Sequence, residues 1–192
     1  MRVLLGLESP QSGTITVDGR DLASLDQPSV RRQVGCVLQS SSLLPGTVYD
    51  NVDMGRALPR SVVWEALDAA CVGDDVRAMG LKLDTPVVDG GGTVSGGQRQ
   101  RILIARALAG SPRMLVLDEA TSALDNVTQA IVVETLDRLR LTRLVVAHRL
   151  STIRGADRII VLDRGRVVEE GPYEDLMALD GIFADLARRQ LA

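Results

Sequence analysis

The feature that most constrains the fold of this chain is a short apolar run that ends in two adjacent acids, Met114-Leu115-Val116-Leu117-Asp118-Glu119. Four consecutive apolar residues bounded by charge are typical of a strand buried on both faces of a parallel sheet. Other strand-sized apolar blocks, such as Val34 to Leu38 and Ile159 to Leu162, alternate with segments of helical spacing. This alternation predicts an α/β fold, in which helices cover a mostly parallel sheet.

Composition narrows the class of protein further. The 192 residues are 45% hydrophobic and 24% charged, which excludes a disordered or collagen-like chain and leaves room for one domain with its own core. A net charge of −3 provides no basic surface, so we expect no nucleic-acid partner. No apolar run approaches the roughly 18 residues that a membrane span needs, so any membrane role is expected to come through a partner.

The two cysteines give no sign of a disulfide framework or a metal site. Cys36 and Cys71 lie far apart and form no C-x-x-C motif. We expect them to fill apolar space in a reducing compartment.

The acids after the apolar run are the first candidates for chemistry. Parallel strands bring their carboxyl ends to one edge of the sheet, where ligands of such folds bind. There Asp118 can hold Mg²⁺, usually through water, and Glu119 can polarise an attacking water. By themselves the two residues fit equally well a strand that ends in a solvated acidic turn.

Further polar residues occupy comparable positions along the chain. Gln39 and His148 each follow an apolar, strand-sized segment, while Ser95 follows the glycine-rich segment Thr85 to Gly97 and can cap a helix. Asp125 can cap the next helix. Taken singly, these residues are ordinary helix caps, a strand-end glutamine and a lone histidine of the kind that is more often structural than catalytic.

Taken together, their order along the chain resembles the nucleotide-binding domain of ABC transporters. The motifs that carry the resemblance are, in order, Gln39, Ser95-Gly96-Gly97-Gln98, Leu117-Asp118-Glu119, Ser122-Ala123-Leu124-Asp125 and His148. The resemblance runs from Leu4 to the last helix. It implies a fold like that of P-loop NTPases, with a mostly parallel sheet and a helical subdomain that carries the signature motif.

The resemblance also implies a role for each of these residues. In the catalytic centre, Glu119 matches the general base that orients the hydrolytic water, and His148 the switch histidine that contacts the γ-phosphate. For the metal, Asp118 matches the Walker B acid, and Gln39 the Q-loop glutamine that senses Mg²⁺. The nucleotide-binding set also includes the signature residues Ser95, Gly96, Gly97 and Gln98, which meet the γ-phosphate held by the opposite subunit, and Asp125 of the D-loop at the dimer interface.

Three other segments are similar to exporters. They are Leu43 to Val52, Ala147 to Arg154 and Asp163 to Gly171. We expect leader-peptide and bacteriocin exporters to be the closest branch. The first two segments argue against an importer ATPase, and the first, with the lack of coiled-coil heptads, argues against a chromosome-maintenance or DNA-repair ATPase. The stretch Val88 to Thr93 departs from the Glu-Arg-Gly of exporters, so its contact with a membrane domain is expected to differ.

The resemblance also implies an organisation, cofactors, partners and a location for the protein. Residues 1–192 form one partial ABC ATPase domain, with a helical subdomain at about residues 50–110. ATP and Mg²⁺ are the expected cofactors. A transmembrane domain of an exporter and a second nucleotide-binding domain are the expected partners, and the cytoplasmic face of a membrane is the expected location.

One family motif has no counterpart in this sequence. It contains no G-x-x-x-x-G-K-[ST] loop, and its sole lysine, Lys82, is followed by Leu83. Met1 to Gly13 resembles the end of the helix that follows this loop, so we expect a domain that starts after its phosphate site and lacks the N-terminal strands and the P-loop helix.

Three alternatives stay open for such a chain. The first is the ATP-hydrolysing domain of a longer exporter polypeptide. The second is a partner subunit that contributes only its signature motif in trans. The third is a catalytically dead relic that does not fold stably.

Overall fold

A computed structural model of the chain describes residues 1–88, 93–147 and 149–191. Expectations that rest on Asp89 to Gly92 or on His148 therefore lie outside the described residues. The chain forms two compact units, Met1–Leu144 and Val145–Ala192. In the described ranges, no helix is both long enough and apolar enough to cross a bilayer.

Helices and strands alternate one by one between residues 86 and 163 of the described chain. The helices are α1 (Gln27–Arg32), α2 (Val48–Asp53), α3 (Arg60–Ala69), α4 (Gly73–Ala78), α5 (Gly96–Leu108), α6 (Asn126–Arg138), α7 (Leu150–Ile153), α8 (Tyr173–Ala178) and α9 (Ile182–Leu191), with 3-10 turns at Leu22–Ser24 and Lys82–Asp84. The strands are β1 (Thr16–Val17), β2 (Arg20–Asp21), β3 (Val34–Val37), β4 (Gly46–Thr47), β5 (Pro86–Val87), β6 (Met114–Asp118), β7 (Thr142–Val146), β8 (Ile159–Asp163) and β9 (Arg166–Gly171). Helices α2 to α5 lie in the region for which a helical subdomain is predicted, and that subdomain stays a prediction.

The central sheet contains β3, β6 and β7 in this order. Strands β3 and β6 are parallel, with Val34 opposite Met114 and Val37 opposite Leu117. The middle of β6 is buried, and Leu115 and Val116 are fully so. A strand that is buried on both faces belongs in a parallel sheet covered by helices, which confirms the predicted α/β fold.

Helix α5 lies directly against this sheet. A Cβ atom on Gly35 of β3 would stand 2.4 Å from the carbonyl oxygen of Ala107 and 2.7 Å from the side chain of Leu115. Since real Cβ atoms do not come that close, only glycine lets α5 approach β3 to this distance. The predicted apolar face of α5 turns inward here, with Ile102 and Ala105 fully buried.

A polar pair, the buried Asn51 and the half-buried Arg106, joins α5 to α2 and to the segment before it. Asn51, 1% exposed, donates to the carbonyl oxygens of Leu44 at 2.8 Å and Thr47 at 2.9 Å, and its Oδ1 accepts from the Leu44 amide at 2.8 Å. Arg106 donates to Oδ1 and to the carbonyl oxygen of Asn51, both at 2.7 Å, and to the carbonyl oxygen of Ser42 at 3.1 Å. Burial lowers the pKa of the Arg106 guanidinium. The segment after β3 is thus tied to α5 through its main chain.

In the described residues, the second unit contains an antiparallel hairpin and the three helices α7, α8 and α9. Strands β8 and β9 pair through a two-residue turn in which Arg164 and Gly165 both have positive φ, 48° and 76°. Such a turn matches the right-handed twist of the strands it joins. The hydrophobic core of this unit consists of Ile159, Val161, Leu176 and Phe183.

A carboxylate from β9 caps helix α9. Glu169 accepts from the amides of Ile182 at 2.5 Å and Phe183 at 3.0 Å. A negative group at this position satisfies amides that have no partner within the helix and also favours the positive end of the helix dipole.

Two segments differ from the sequence expectations. Within the predicted glycine-rich loop, Pro86–Val87 forms the strand β5, paired antiparallel with Gly46–Thr47. Burial of Val87, 2% exposed, accounts for this short strand. The first residues form successive turns rather than the end of a helix, although the amide of Leu5 donates to the Met1 carbonyl at the α-helical spacing, 3.2 Å. A helical stretch this short is unfavourable without further packing.

We expect the change Asn51→Leu to lower the free energy of unfolding by about 2–4 kcal/mol, because it leaves buried main-chain groups and the Arg106 guanidinium without their partner. Urea denaturation followed by circular dichroism measures the change. The matched control is Asn126→Leu, at an exposed position at the start of α6, which should change stability by less than about 0.5 kcal/mol. Equal losses in the two variants would contradict the role assigned to Asn51.

Candidate active site

Strand β6 delivers two adjacent acids to the carboxyl edge of the central sheet. Asp118 is its last residue and is half-buried, directly after the buried Leu117. Glu119 follows with a left-handed backbone, φ 53°. A non-glycine residue in this region is uncommon and turns the chain sharply, which ends the strand at the candidate base.

Gln39 reaches the same edge from the neighbouring strand. It lies two residues beyond the end of β3, and its Nε2 donates to Oε2 of Glu119 at 3.4 Å. The two residues are 80 positions apart in the sequence. The contact is possible because β3 and β6 are parallel, and parallel strands bring their carboxyl ends to one edge of the sheet.

Asp118 contributes a further charge at this edge. Burial raises the pKa of the Cys36 thiol in β3, and the negative charge of Asp118 raises it further. The Asp118 carboxylate and the Gln39 side-chain carbonyl are oxygen donors of the kind that Mg²⁺ takes, so the residues present fit this ion. In the described part of the chain, no group of three or more His, Cys, Asp or Glu residues is arranged to hold a metal. A Mg²⁺ ion held by few side chains and several waters is the usual form of such sites.

The predicted signature residues form the start of α5. Ser95 and Gln98 make a reciprocal capping box: the Gln98 amide donates to Ser95 Oγ at 3.1 Å, and the Ser95 amide donates to Gln98 Oε1 at 3.0 Å. Gly96 and Gly97 form the first turn. The amides of a helix start that have no partner within the helix are suited to an anion such as phosphate.

A carboxylate from α4 braces this turn. Gln98 Nε2 donates to Oδ1 of Asp75 at 2.9 Å, and Arg101 Nη1 donates to Oδ2 of Asp75 at 2.9 Å. Arg101, with only 13% of its side chain exposed, also donates to the carbonyl oxygens of Cys71 and Gly97. Both ends of the Gln98 side chain are therefore engaged within the chain, and its predicted nucleotide contact stays a prediction.

Sequence reasoning did not single out Asp75 or Gln100. Asp75 is one of two adjacent acids in the first turn of α4, a pattern that by itself indicates only a helix start. Gln100 lies beside the signature motif and binds the main chain after Glu119. The signal in the sequence was the run Gln98-Arg99-Gln100-Arg101. This run indicates the family and does not predict the contact that Gln100 makes.

Asp125 caps helix α6, as expected from the sequence. Its Oδ1 accepts from the amides of Val127 and Thr128, each at 3.0 Å, and its Oδ2 accepts from the Thr128 hydroxyl at 2.6 Å. The bond from the Thr128 hydroxyl is the main cause that lowers the pKa of Asp125. Asp125 is exposed, so its negative charge is available to solvent. His148, which is predicted to be catalytic together with Glu119, lies outside the described residues.

Comparisons with known proteins show what this chain is similar to. A family model described as ABC transporter matches residues 1–122. The β-(1→2)glucan export ATP-binding/permease protein NdvA of Rhodopseudomonas palustris strain BisA53 is 46% identical over 186 residues, which cover 94% of this chain and 31% of that protein. The ATP-dependent lipid A-core flippase of Burkholderia orbicola strain AU 1054 is 46% identical over 183 residues, with the same two coverages.

A solved structure gives the same result in three dimensions. A bacterial Atm1-family ABC exporter with ATP bound matches with a TM-score of 0.94 and 39% identity, covering 100% of this chain and 34% of that chain. The chain thus spans about a third of the length of the proteins it matches.

The chain belongs to the ABC transporter family and corresponds to the nucleotide-binding domain of exporter-type members. The sequence expectation of an exporter is confirmed. The relatives named here carry the names of a glucan exporter and a lipid A-core flippase, and the narrower expectation of a leader-peptide or bacteriocin branch stays a prediction.

We expect the change Thr128→Val to raise the pKa of Asp125 towards the ordinary value near 4, because it removes the main hydrogen bond to the ionised carboxylate. Since folding lowers this pKa, the cap stabilises the fold above about pH 4, and its contribution is lost as the pH falls through the lowered value. An NMR titration of the Asp125 carboxyl carbon measures the shift. Thr135→Val, on the same helix, is the control and should leave that titration unchanged. An unchanged titration in Thr128→Val would contradict the assignment.

Proposed function

We propose that this chain is the ATP-hydrolysing domain of an exporter and couples hydrolysis of MgATP at a dimer interface to transport across a membrane. The observation that carries the proposal is the contact between Gln39 and Glu119 at the carboxyl edge of the parallel sheet. In a chain of this family, that edge is where a nucleotide ligand is expected.

The side chains at this edge supply the parts that phosphoryl transfer needs. Glu119 accepts a proton from the attacking water, and the amide of Gln39 holds its carboxylate in place. Asp118 and the Gln39 side-chain oxygen would hold Mg²⁺. When bound, the ion offsets negative charge that develops on the phosphate oxygens.

The start of α5 supplies the contact across the dimer. In the proposal, Ser95, Gly96 and Gly97 meet the γ-phosphate of ATP held by a second nucleotide-binding domain, with Gln98 part of the same signature motif. The capping box and the Asp75 brace hold the turn in shape before nucleotide binds. Pre-formed donors of this kind stabilise charge without the cost of reorganisation.

Two further residues complete the proposed site. Asp125 lies at the dimer interface, where its exposed carboxylate meets the second domain. His148 contacts the γ-phosphate.

The proposed partners follow from the family. Relatives whose names join an ATP-binding part to a permease support a transmembrane domain as one partner. A second nucleotide-binding domain is the other, and the cytoplasmic face of the membrane is the proposed location. Cargo would be chosen by the membrane helices.

A second candidate function is a partner subunit that lends only its signature turn. The observation in its favour is that the capping box holds this turn in shape by contacts within the chain itself. Such a chain would complete the site of a subunit that has its own phosphate loop.

We expect Glu119→Gln, in the polypeptide as the cell makes it, to leave ATP affinity within about twofold and to lower hydrolysis roughly 100-fold or more. The change removes the base and keeps the shape of the side chain. Equilibrium binding of a fluorescent ATP analogue and phosphate release are the two measurements. Glu134→Gln, on the exposed side of α6, is the control with the same chemical change. Hydrolysis near the wild-type rate in Glu119→Gln would exclude Glu119 as the base.

The 192-residue polypeptide by itself is expected to release no phosphate from ATP, because its sequence contains no loop to hold the phosphates. Phosphate release by the purified chain is compared with that of its Glu119→Gln variant, which corrects for contaminating ATPases. Turnover that disappears in the variant would show that this chain holds ATP without such a loop.

The second candidate function is tested by adding the chain to a subunit with an intact phosphate loop. Stimulation of ATP hydrolysis by that subunit, if Ser95→Arg in the added chain removes it, would support the second candidate.

A further inference from the structure

The side chain of Gln100 spans the gap between helix α5 and the main chain that follows the candidate base. Its Nε2 donates to the carbonyl oxygen of Glu119 at 3.1 Å and to Ser122 Oγ at 3.3 Å. Its Oε1 accepts from the Ala123 amide at 2.8 Å. One half-buried amide thus binds both ends of the turn from residue 119 to residue 123.

The turn that Gln100 binds has an unusual backbone. Glu119 has a φ of 53°, a conformation that costs a non-glycine residue free energy and persists only where surrounding contacts hold it. The Ser122 amide also donates to the Glu119 carbonyl oxygen, at 3.1 Å. The direction in which the Glu119 side chain leaves the backbone is therefore set by contacts to its own carbonyl group.

We infer that Gln100 is a positioning residue for ATP hydrolysis: it fixes the Glu119 backbone and the turn at 119–123 against the helix whose first turn is the signature motif. The inference rests on the proposed function of Glu119. Gln100 lies little more than one turn along α5 from Gly96. A displacement of the signature turn is thereby carried to the candidate base of the same chain.

An independent observation supports this link. A Cβ atom on Gly97 would lie 3.5 Å from the side chain of Leu124, and one on Gly96 would lie 4.0 Å from the side chain of Ala123. The first turn of α5 and the end of the 119–123 turn are therefore neighbours in space as well as hydrogen-bonded through Gln100.

Only an amide of this length has both groups that the contact uses. A glutamine side chain has an N–H donor and a carbonyl acceptor, an ionised glutamate has acceptors alone, and leucine has neither. Gln100→Glu keeps an acceptor for the Ala123 amide and loses the donor to the Glu119 carbonyl. Gln100→Leu loses both. The pair of variants separates the two halves of the contact.

The first measurement is hydrogen exchange of single amides in this chain, followed by NMR. In Gln100→Leu, the Ala123 amide should exchange about tenfold faster than in the wild type, because its acceptor is gone. In Gln100→Glu, it should stay within about twofold. Gln33→Leu and Gln33→Glu are the controls, since the side-chain amide of Gln33 makes a long bond of 3.4 Å within its own turn, to the Ser29 carbonyl. Unchanged Ala123 exchange in Gln100→Leu would overturn the inference.

The second measurement is ATP hydrolysis by the polypeptide as the cell makes it. Both Gln100 variants should lower kcat about tenfold or more and leave KM for ATP within about twofold, because a misdirected base affects the chemical step more than binding. Thermal unfolding of each variant is measured alongside. A lower Tm with kcat unchanged in both variants would reduce Gln100 to a structural contact and overturn the inference.

Failure of the proposed function would look different. A wild-type polypeptide that binds ATP but does not hydrolyse it, or does neither, would contradict the role of Glu119. The exchange of the Ala123 amide would still decide whether Gln100 holds the turn at 119–123.

Discussion

The close approach of helix α5 to strand β3 is the constraint on which the rest of the first unit depends. At Gly35 the carbonyl oxygen of Ala107 occupies the place that any other residue would need for its Cβ atom. With the helix fixed there, its side chains make hydrogen bonds to three other parts of the unit. These are the carboxylate of Asp75, the turn after Glu119, and the main chain around Asn51. A shift of the helix by one methyl group's width would change all of these distances together.

Arginine side chains make the main charged contacts around helix α5. Among the 22 basic residues only Lys82 is a lysine, so the buried contacts use arginine. Arg106 binds carbonyl oxygens of the segment after β3, and Arg101 joins a carboxylate and two carbonyl oxygens. A planar guanidinium with five donors can serve several acceptors at once and stays charged when buried, which a lysine does less well. Most of the acceptors are main-chain carbonyl oxygens, so these contacts serve mainly to orient the main chain around the site.

The sequence was sufficient for those parts of the site that follow from strand topology. Asp118 and Glu119 were expected at the carboxyl edge of the sheet because they follow an apolar strand, and parallel strands share that edge. The contacts of Asp75 and Gln100 could not be predicted from the sequence. They depend on how α5 is rotated and how far it lies from α4 and from the turn after β6. Helical periodicity gives the buried face of a helix but not its neighbours. The strand at Pro86–Val87 was missed for a related reason, because two residues carry no period.

The left-handed backbone at Glu119 restricts what evolution can place there. The proposed role requires a carboxylate at this position, and the backbone requires a conformation that asparagine, aspartate, histidine and glycine accept readily and β-branched residues accept poorly. If the proposed base is lost in a related chain, the position should therefore drift towards asparagine, aspartate, histidine or glycine and avoid valine, isoleucine and threonine. The residue found at this position in a related chain then reflects two requirements, that of the chemistry and that of the backbone conformation of the turn.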